Sequence, residues 1–338
     1  MIVEMKTGAS KAEIDSVVER AHNNGLEVQF NQGTEKTVIA LLGSTTGQLP
    51  TDLFAVLPSV ASVTRIMKPY KLASREFKPL NTKVQVGDVE IGGDRVVIMA
   101  GPCAVESEEQ LYTAAAAVGK AGARILRGGA YKPRTSPFSF QGLASVGLDL
   151  LANAREKYGL PVITEVVDPQ MVSNVAKYVD IIQVGSRNMQ NYALLTEAGK
   201  SKRPVVLKRG YACTITEWLT AADYVLAEGN TQVILCERGI RTFEDSTRFS
   251  LDISSVPVLK QVSHLPVLVD PSHAAGHYSL VPAMAKAAIA AGADGLLIEV
   301  HPNPREALVD GLQSLSPSDF TRLVKEIDRV AKSVGRSL

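Results

Sequence analysis

The run Arg127-Gly128-Gly129-Ala130-Tyr131-Lys132-Pro133-Arg134-Thr135-Ser136 gathers three fixed cations and two aliphatic hydroxyls within ten residues. It follows Ala123-Arg124-Ile125-Leu126, an apolar segment that reads as a short buried strand. The paired glycines predict a tight backbone with exposed N–H groups. A guanidinium grips an oxyanion with two parallel bonds, and an ammonium adds a point charge. The mixture therefore suits a phosphorylated or carboxylated ligand. A solvated basic loop is the plainer alternative, and the Gly-Gly pair, Pro133 and the Thr-Ser pair argue against it.

Two wider sets of residues extend this chemistry. Cys103, His273, Glu299 and Asp310 offer one sulfur, one nitrogen and two carboxylates. Such a set suits one first-row divalent ion, Mn, Fe, Co or Zn. Taken singly, a cysteine after a strand reads as core and the aspartate of Val309-Asp310-Gly311 as a turn. Only convergence makes them a site. The second set is Arg127, Lys132, Arg187, Lys208 and Arg238. Five cations around one mouth are costly unless anions balance them.

Both sets need a scaffold that brings distant segments together. Beyond residue 95, apolar runs alternate with helical stretches eight times: Val96–Ala100, Ala123–Leu126, Pro161–Thr164, Asp180–Val184, Pro204–Leu207, Gln232–Leu235, Pro266–Val269 and Asp294–Ile298. Runs rich in Val, Ile and Leu are what parallel strands covered on both faces require. Helical patterns such as Ser107–Ala121, Thr216–Glu228 and Leu280–Ala291 lie between them. The fold class is α/β, a TIM (β/α)8 barrel. A doubly wound open sheet is the rival, but no G-x-G-x-x-G follows the first strand. Barrel sites lie at the C-terminal strand ends. There the sequence places Gly101-Pro102-Cys103, the basic loop, Glu165, Arg187, Lys208-Arg209, Glu237-Arg238, Asp270-Pro271-Ser272-His273, and Glu299 with His301. In a closed barrel the eighth strand neighbours the first, so Cys103, His273 and Glu299 converge, with Asp310 able to close the set.

Residues 76–338 thus form the barrel domain, entered through a hairpin at Lys83–Ile91 that turns on Gly87-Asp88. Residues 1–75 form a separate unit. Its order is strand (Ile2–Lys6), helix after Ser10, strand (Leu26–Phe30), polar turn (Asn31–Glu35), strand (Thr37–Leu42), short helix (Thr51–Leu57) and strand (Val60–Ile66). That is a ferredoxin-like α+β pattern. Its only histidine is His22, and it holds no cysteine and no acidic cluster, so regulation or assembly is expected of it rather than catalysis. Tyr70–Leu80 reads as a linker.

The 338 residues carry a net charge of +1 and a hydrophobic share of 45%. Near-neutral charge excludes nucleic-acid binding through bulk charge. Three widely spaced cysteines argue against a disulfide scaffold and fit a reducing cytoplasm. No basic segment followed by an apolar stretch marks a signal peptide at the start. No run reaches the roughly 18 apolar residues that span a membrane.

The motifs RGGAYKPRTSPFSFQG, VGSRNMQN, LKRG, ILCERGIRTFE, LVDPSHAAG and IEVHPNP, in this order, resemble the 3-deoxy-D-arabino-heptulosonate 7-phosphate (DAHP) synthases. The resemblance runs over nearly the whole chain and includes the ferredoxin-like regulatory extension of one subtype. It implies condensation of phosphoenolpyruvate with erythrose 4-phosphate and water, the first step of the shikimate pathway. It implies one divalent metal ion on Cys103, His273, Glu299 and Asp310, with His301 as runner-up ligand, its position more like that of a residue behind the site. It sets Arg127, Lys132, Arg187, Lys208 and Arg238 against phosphoenolpyruvate, and Arg134, Thr135 and Ser136 against the phosphate of erythrose 4-phosphate. Lys132 is then the proton donor, Glu237 the residue that orients water, and Cys103 a ligand rather than a nucleophile. Tyrosine or phenylalanine as inhibitor, and a homotetramer, follow from the subtype. His277 and Tyr278 depart from it, standing where two basic residues are usual. Two alternatives remain: 3-deoxy-D-manno-octulosonate 8-phosphate synthase, whose loop differs from KPRTS, and a non-catalytic amino-acid sensor.

Overall fold

The computed structural model describes residues 1–32, 37–65, 68–134 and 136–338. The chain divides into two compact units, Met1–Leu80 with Val262–His264, and Asn81–Gln261 with Leu265–Leu338.

The first unit runs β1 (Ile2–Met5), α1 (Lys11–Asn23), β2 (Glu27–Gln32), β3 (Thr37–Leu42), α2 (Asp52–Ala55) and β4 (Val60–Thr64). The sheet order is β2-β3-β1-β4, with β1 antiparallel to both β3 and β4. α1 begins where Ser10 and Glu13 satisfy each other's backbone N–H groups, a reciprocal cap that fixes its first turn. Val17 and Ala21 on its inner face pack on Val3, Met5, Ile39 and Leu41 of the sheet. Asn31, expected in the turn, instead pairs with Val38 inside the β2–β3 ladder. Ile66, the expected end of β4, lies outside the described residues.

The second unit starts with the hairpin β5 (Val84–Val86) and β6 (Val89–Ile91). Eight parallel strands follow: β7 (Val97–Gly101), β8 (Ile125–Arg127), β9 (Val162–Val166), β10 (Ile181–Val184), β11 (Val205–Lys208), β12 (Val233–Glu237), β13 (Val267–Val269) and β14 (Gly295–Glu299). They close into a barrel, β14 pairing with β7 from Gly295↔Val97 to Glu299↔Gly101. The helices are α3 (Glu108–Ala121), α4 (Ala144–Tyr158), α5 (Val172–Val175), α6 (Tyr192–Lys200), α7 (Ile215–Ala227), α8 (Ser255–Val262), α9 (Pro271–Ala275), α10 (Val281–Ala290) and α11 (Pro317–Ser333).

The fold is therefore a (β/α)8 barrel with a small ferredoxin-like unit. Its strands begin one or two residues later than the apolar runs do. Asp180 and Asp294 are not first strand residues: their carboxylates accept the N–H groups of Val162 and Val267, each at 2.8 Å. At the other end, Arg127, Lys208, Glu237 and Glu299 are the last strand residues rather than loop residues. The parallel ladder continues as long as a neighbour supplies backbone partners, whatever the side chain. The hairpin residues Val84, Val86, Val89 and Ile91 join the buried core formed by Val97, Ile125, Ile181 and other residues near the strand starts. They close the end of the barrel opposite the polar strand ends.

Candidate active site

Four donor groups meet at the polar end of the barrel. The ligating atoms of Cys103, His273, Glu299 and Asp310 all lie within 4.8 Å of one another. Cys103 follows β7, His273 sits in α9 after β13, Glu299 ends β14, and Asp310 comes from the loop beyond it. The Cys103 thiol donates to Asp310 Oδ2 at 3.4 Å. His273 Nε2 is 3.4 Å from Glu299 Oε1 and 3.8 Å from Asp310 Oδ2. Gly101, with φ +150°, brings β7 against β8 here: a Cβ on it would stand 2.1 Å from the Arg127 carbonyl oxygen. The approach that sets Cys103 beside the β8 end therefore requires glycine.

A buried layer of charge orients these groups. His273 Nδ1 donates to Asp270 Oδ2 at 2.7 Å, which leaves Nε2 as the lone-pair nitrogen facing the other three. Lys208 Nζ donates to the same Asp270 oxygen at 2.5 Å. Burial opposes the charge on Asp270, yet His273 and Lys208 hold its carboxyl well below the usual range. Arg127 Nη1 donates to Glu299 Oε1 at 2.8 Å and to the Pro102 carbonyl at 2.9 Å. Burial and the nearby Glu299 push the Cys103 thiol up to about 12, and burial draws His273 down, favouring its neutral form.

Beside the cluster opens a cavity of about 260 Å³, lined by Lys132, Arg134, Glu165, Arg187, Arg238 and Arg248 among others. Lys132 links cavity and cluster: its Nζ donates to Cys103 Sγ and to the Cys103 carbonyl, each at 3.1 Å. Burial works against its charge, but Cys103, Glu165 and Glu299 outweigh it and raise its pKa. The Arg238 guanidinium lies 4.1 Å from the Phe249 ring centroid and 4.9 Å from that of Tyr211. Its Nη1 is buried with no hydrogen-bond partner among the described residues. A guanidinium held on aromatic faces with a spare donor is prepared for an incoming anion.

Residues 64–334 match the DAHP synthetase I family, and residues 1–68 match the DAHP synthase ferredoxin-like domain. The chain belongs to the DAHP synthetase I family. A phospho-2-dehydro-3-deoxyheptonate aldolase of Thermotoga maritima is 49% identical over 335 residues, 99% of each chain. A crystal structure of phospho-2-dehydro-3-deoxyheptonate aldolase (DAHP synthase) from Thermotoga maritima matches with a TM-score of 0.79 at 49% identity, over 99% of this chain and 98% of that one. A truncated form of 3-deoxy-D-arabino-heptulosonate 7-phosphate synthase from the same organism matches at 0.75 and 48%, over 80% of this chain and 99% of that one. A 2-dehydro-3-deoxyphosphooctonate aldolase of Geobacter sulfurreducens is 31% identical over 272 residues, 74% of this chain and 98% of its own.

In this member of the DAHP synthetase I family the expected residues take different places. Lys132, Arg134, Ser136, Arg187, Arg238, His273 and Asp310 line the cavity. Arg127 and Lys208 are buried in ion pairs with Glu299 and Asp270, so protein carboxylates already balance two of the five cations. Thr135 lies outside the described residues. Glu237 is absent from the cavity lining. It is fully buried, and Arg209 Nη1 donates to it at 3.0 Å while the Gly239 N–H donates at 2.7 Å. Burial leads its pKa upward, against the pull of Arg209. Glu165, unlike Glu237, lines the cavity, as does Asp310. His301 is engaged elsewhere: its Nε2 meets Glu106 at 3.2 Å and its Nδ1 accepts the Asn303 N–H at 3.1 Å. His277 and Tyr278 stack on each other, ring centroids 4.7 Å apart. Sequence reasoning passed over Asp270 as a partner, Gln313, and above all Arg248, whose role no local motif announces.

Proposed function

We propose that this chain condenses phosphoenolpyruvate with erythrose 4-phosphate and water, giving DAHP and phosphate, the first step of the shikimate pathway toward aromatic amino acids. The observation that carries the reading is the four-donor cluster joined through Lys132 to a cavity lined by Arg134, Arg187 and Arg238. The 49% identity to the Thermotoga enzyme of that name supports it.

One sulfur, one imidazole nitrogen and two carboxylates, with Lys132 and Arg127 alongside, fit a single divalent ion of Mn, Fe, Co or Zn. Bound there, the ion would supply a Lewis acid for the aldehyde oxygen of the sugar. Arg187, Arg238 and Lys132 grip the phosphate and carboxylate of phosphoenolpyruvate, with Arg127 and Lys208 as buried support. Arg134, with Thr135 and Ser136, holds the phosphate of erythrose 4-phosphate. C3 of phosphoenolpyruvate attacks the aldehyde carbon, and Lys132 gives a proton to the oxygen that gains charge. Glu165, in place of Glu237, orients the water that adds at C2 before phosphate leaves through C–O cleavage. Cys103 and His273 would act as ligands that hold the ion.

Turnover with and without a chelator tests this reading. Activity should vanish on chelation and return with Mn²⁺. Full activity of stripped enzyme overturns the metal reading. Preference for arabinose 5-phosphate transfers the chain to octulosonate 8-phosphate synthesis, and no turnover with either sugar leaves an amino-acid sensor.

We further propose that the first unit mediates inhibition by tyrosine or phenylalanine within a cytoplasmic homotetramer. Support comes from the match of residues 1–68 to the ferredoxin-like domain and from three free cysteines, which suit a reducing compartment. Among the described residues no helix is long and apolar enough to cross a membrane. An effector shifts the enzyme only if it binds the inhibited state better than the active one. A chain beginning at Lys83 should keep activity and lose inhibition when titrated with tyrosine and phenylalanine. Intact protein that ignores both, or a shortened form still inhibited, assigns the unit to assembly instead.

A further inference from the structure

Each carboxylate of the four-donor cluster turns one oxygen toward His273 and one away. The inward oxygens are Glu299 Oε1, 3.4 Å from His273 Nε2, and Asp310 Oδ2, 3.8 Å from it. Both outward oxygens are occupied. Gln313 Nε2 donates to Glu299 Oε2 at 2.6 Å. Arg248 Nη1 donates to Asp310 Oδ1 at 3.2 Å. The two holders are themselves joined: Arg248 Nη1 donates to Gln313 Oε1 at 2.7 Å. That bond fixes the Gln313 amide with its oxygen toward the arginine and its NH2 toward Glu299.

The chain that carries Arg248 is anchored on the helix that carries His273. The Arg248 N–H bonds the Ala275 carbonyl at 3.2 Å, and the Phe249 N–H bonds the Ala274 carbonyl at 2.9 Å. Gly276, with φ +72°, makes room for this contact, since a Cβ there would meet Arg248 Cβ at 2.5 Å. Asp310 itself has φ +53°, a left-handed conformation that is unfavourable for a side-chain-bearing residue and must be held by its surroundings.

We propose that Arg248 and Gln313 are positioning residues that clamp Asp310 and Glu299, so that one oxygen of each stays aimed at the ion. Arg248 also lines the cavity; in this assignment its first duty is to the carboxylates, not to substrate. The proposal rests on the metal reading above. Partners that orient metal ligands are worth about 10–100-fold in metal affinity when removed.

The test is titration of purified full-length protein with Mn²⁺ alone against a chelating dye, followed by steady-state kinetics across Mn²⁺ concentration. Arg248→Ala and Gln313→Met should each raise the Mn²⁺ Kd about 10–100-fold. At saturating Mn²⁺ kcat should return close to wild type, with KM for each substrate little changed. Arg248→Lys keeps the charge on a shorter side chain without the planar guanidinium, and should fall between. The double variant should lose less than the product of the single losses, because both residues belong to one network. Mn²⁺ affinity unchanged in Arg248→Ala and Gln313→Met overturns the clamp, and a rise in one substrate's KM alone makes Arg248 a substrate contact instead. If Arg248→Ala does not fold, Arg248→Lys and Gln313→Met decide by the same readout. Wild-type protein that binds no Mn²⁺, Fe²⁺, Co²⁺ or Zn²⁺ removes the metal reading itself, an outcome distinct from wild-type binding that the variants share.

Discussion

Removing a donor from the four-group cluster should remove the ion and the reaction together. On the proposed metal reading, Cys103→Ala and His273→Ala are expected to lose bound metal, measured by elemental analysis, in parallel with turnover, because the ion would have to be held in fixed geometry. Arg134→Ala should raise the KM for erythrose 4-phosphate far more than that for phosphoenolpyruvate. A charge-assisted bond is worth roughly 1.5–3 kcal/mol, or about 10–100-fold. Equal effects on both substrates would remove Arg134 from the sugar pocket. Cys103, His273 and Glu299 were legible as a converging set because each stands shortly after an apolar run, whereas Asp310 comes from farther along the loop after β14. Glu165 and Glu237 looked alike for the same reason, as carboxylates at strand ends. They differ because Arg209 and Asp252 lie beside Glu237, with Arg209 bonding both carboxylates. Arg248 was illegible since its partners are 62 and 65 residues away in sequence.

At the scale of elements, the hairpin is the piece whose loss should be felt furthest from the chemistry. Ile91 is fully buried with strand-start residues of the barrel. Ile91→Ala should cost about 2–5 kcal/mol, as large-to-small changes in packed cores do. The readout is the urea midpoint, with substrate KM values unchanged in the folded enzyme. A variant as stable as wild type would show that the hairpin merely rests against the barrel. Strand number and order were readable from the apolar runs, while strand ends were not. Pro161, Pro204 and Pro266 opened runs without the N–H that a ladder uses. Glu299 ended one although its backbone remains paired with Gly101.

At the scale of the molecule, the first unit holds a pH-sensitive contact. His264 is 4% exposed, and its Nε2 meets the Leu72 carbonyl at 2.7 Å. Burial lowers its pKa to about 4, against the Leu72 bond that raises it. The unfolded chain binds a proton near pH 6.5 and the folded one only near 4. Stability from this group is therefore whole above pH 6.5 and falls as pH drops toward 4, by ~3 kcal/mol in all. Urea unfolding at several pH values should show this loss in wild type and much less of it in His264→Gln. Parallel pH curves for the two proteins would assign acid sensitivity elsewhere. The two-part organisation was visible in the sequence, but the share of Val262–His264 in the first unit was not. It depends on pairings such as Arg75 N–H with the Val262 carbonyl, which no local pattern encodes.

The apolar hairpin plug has a consequence for traffic. With that end filled by side chains, the barrel axis is a packed core and not a through-passage. What binds among the cations at the polar strand ends has no exit along that axis. On the proposed reaction, phosphate then departs from the same end of the barrel at which the next phosphorylated substrate arrives.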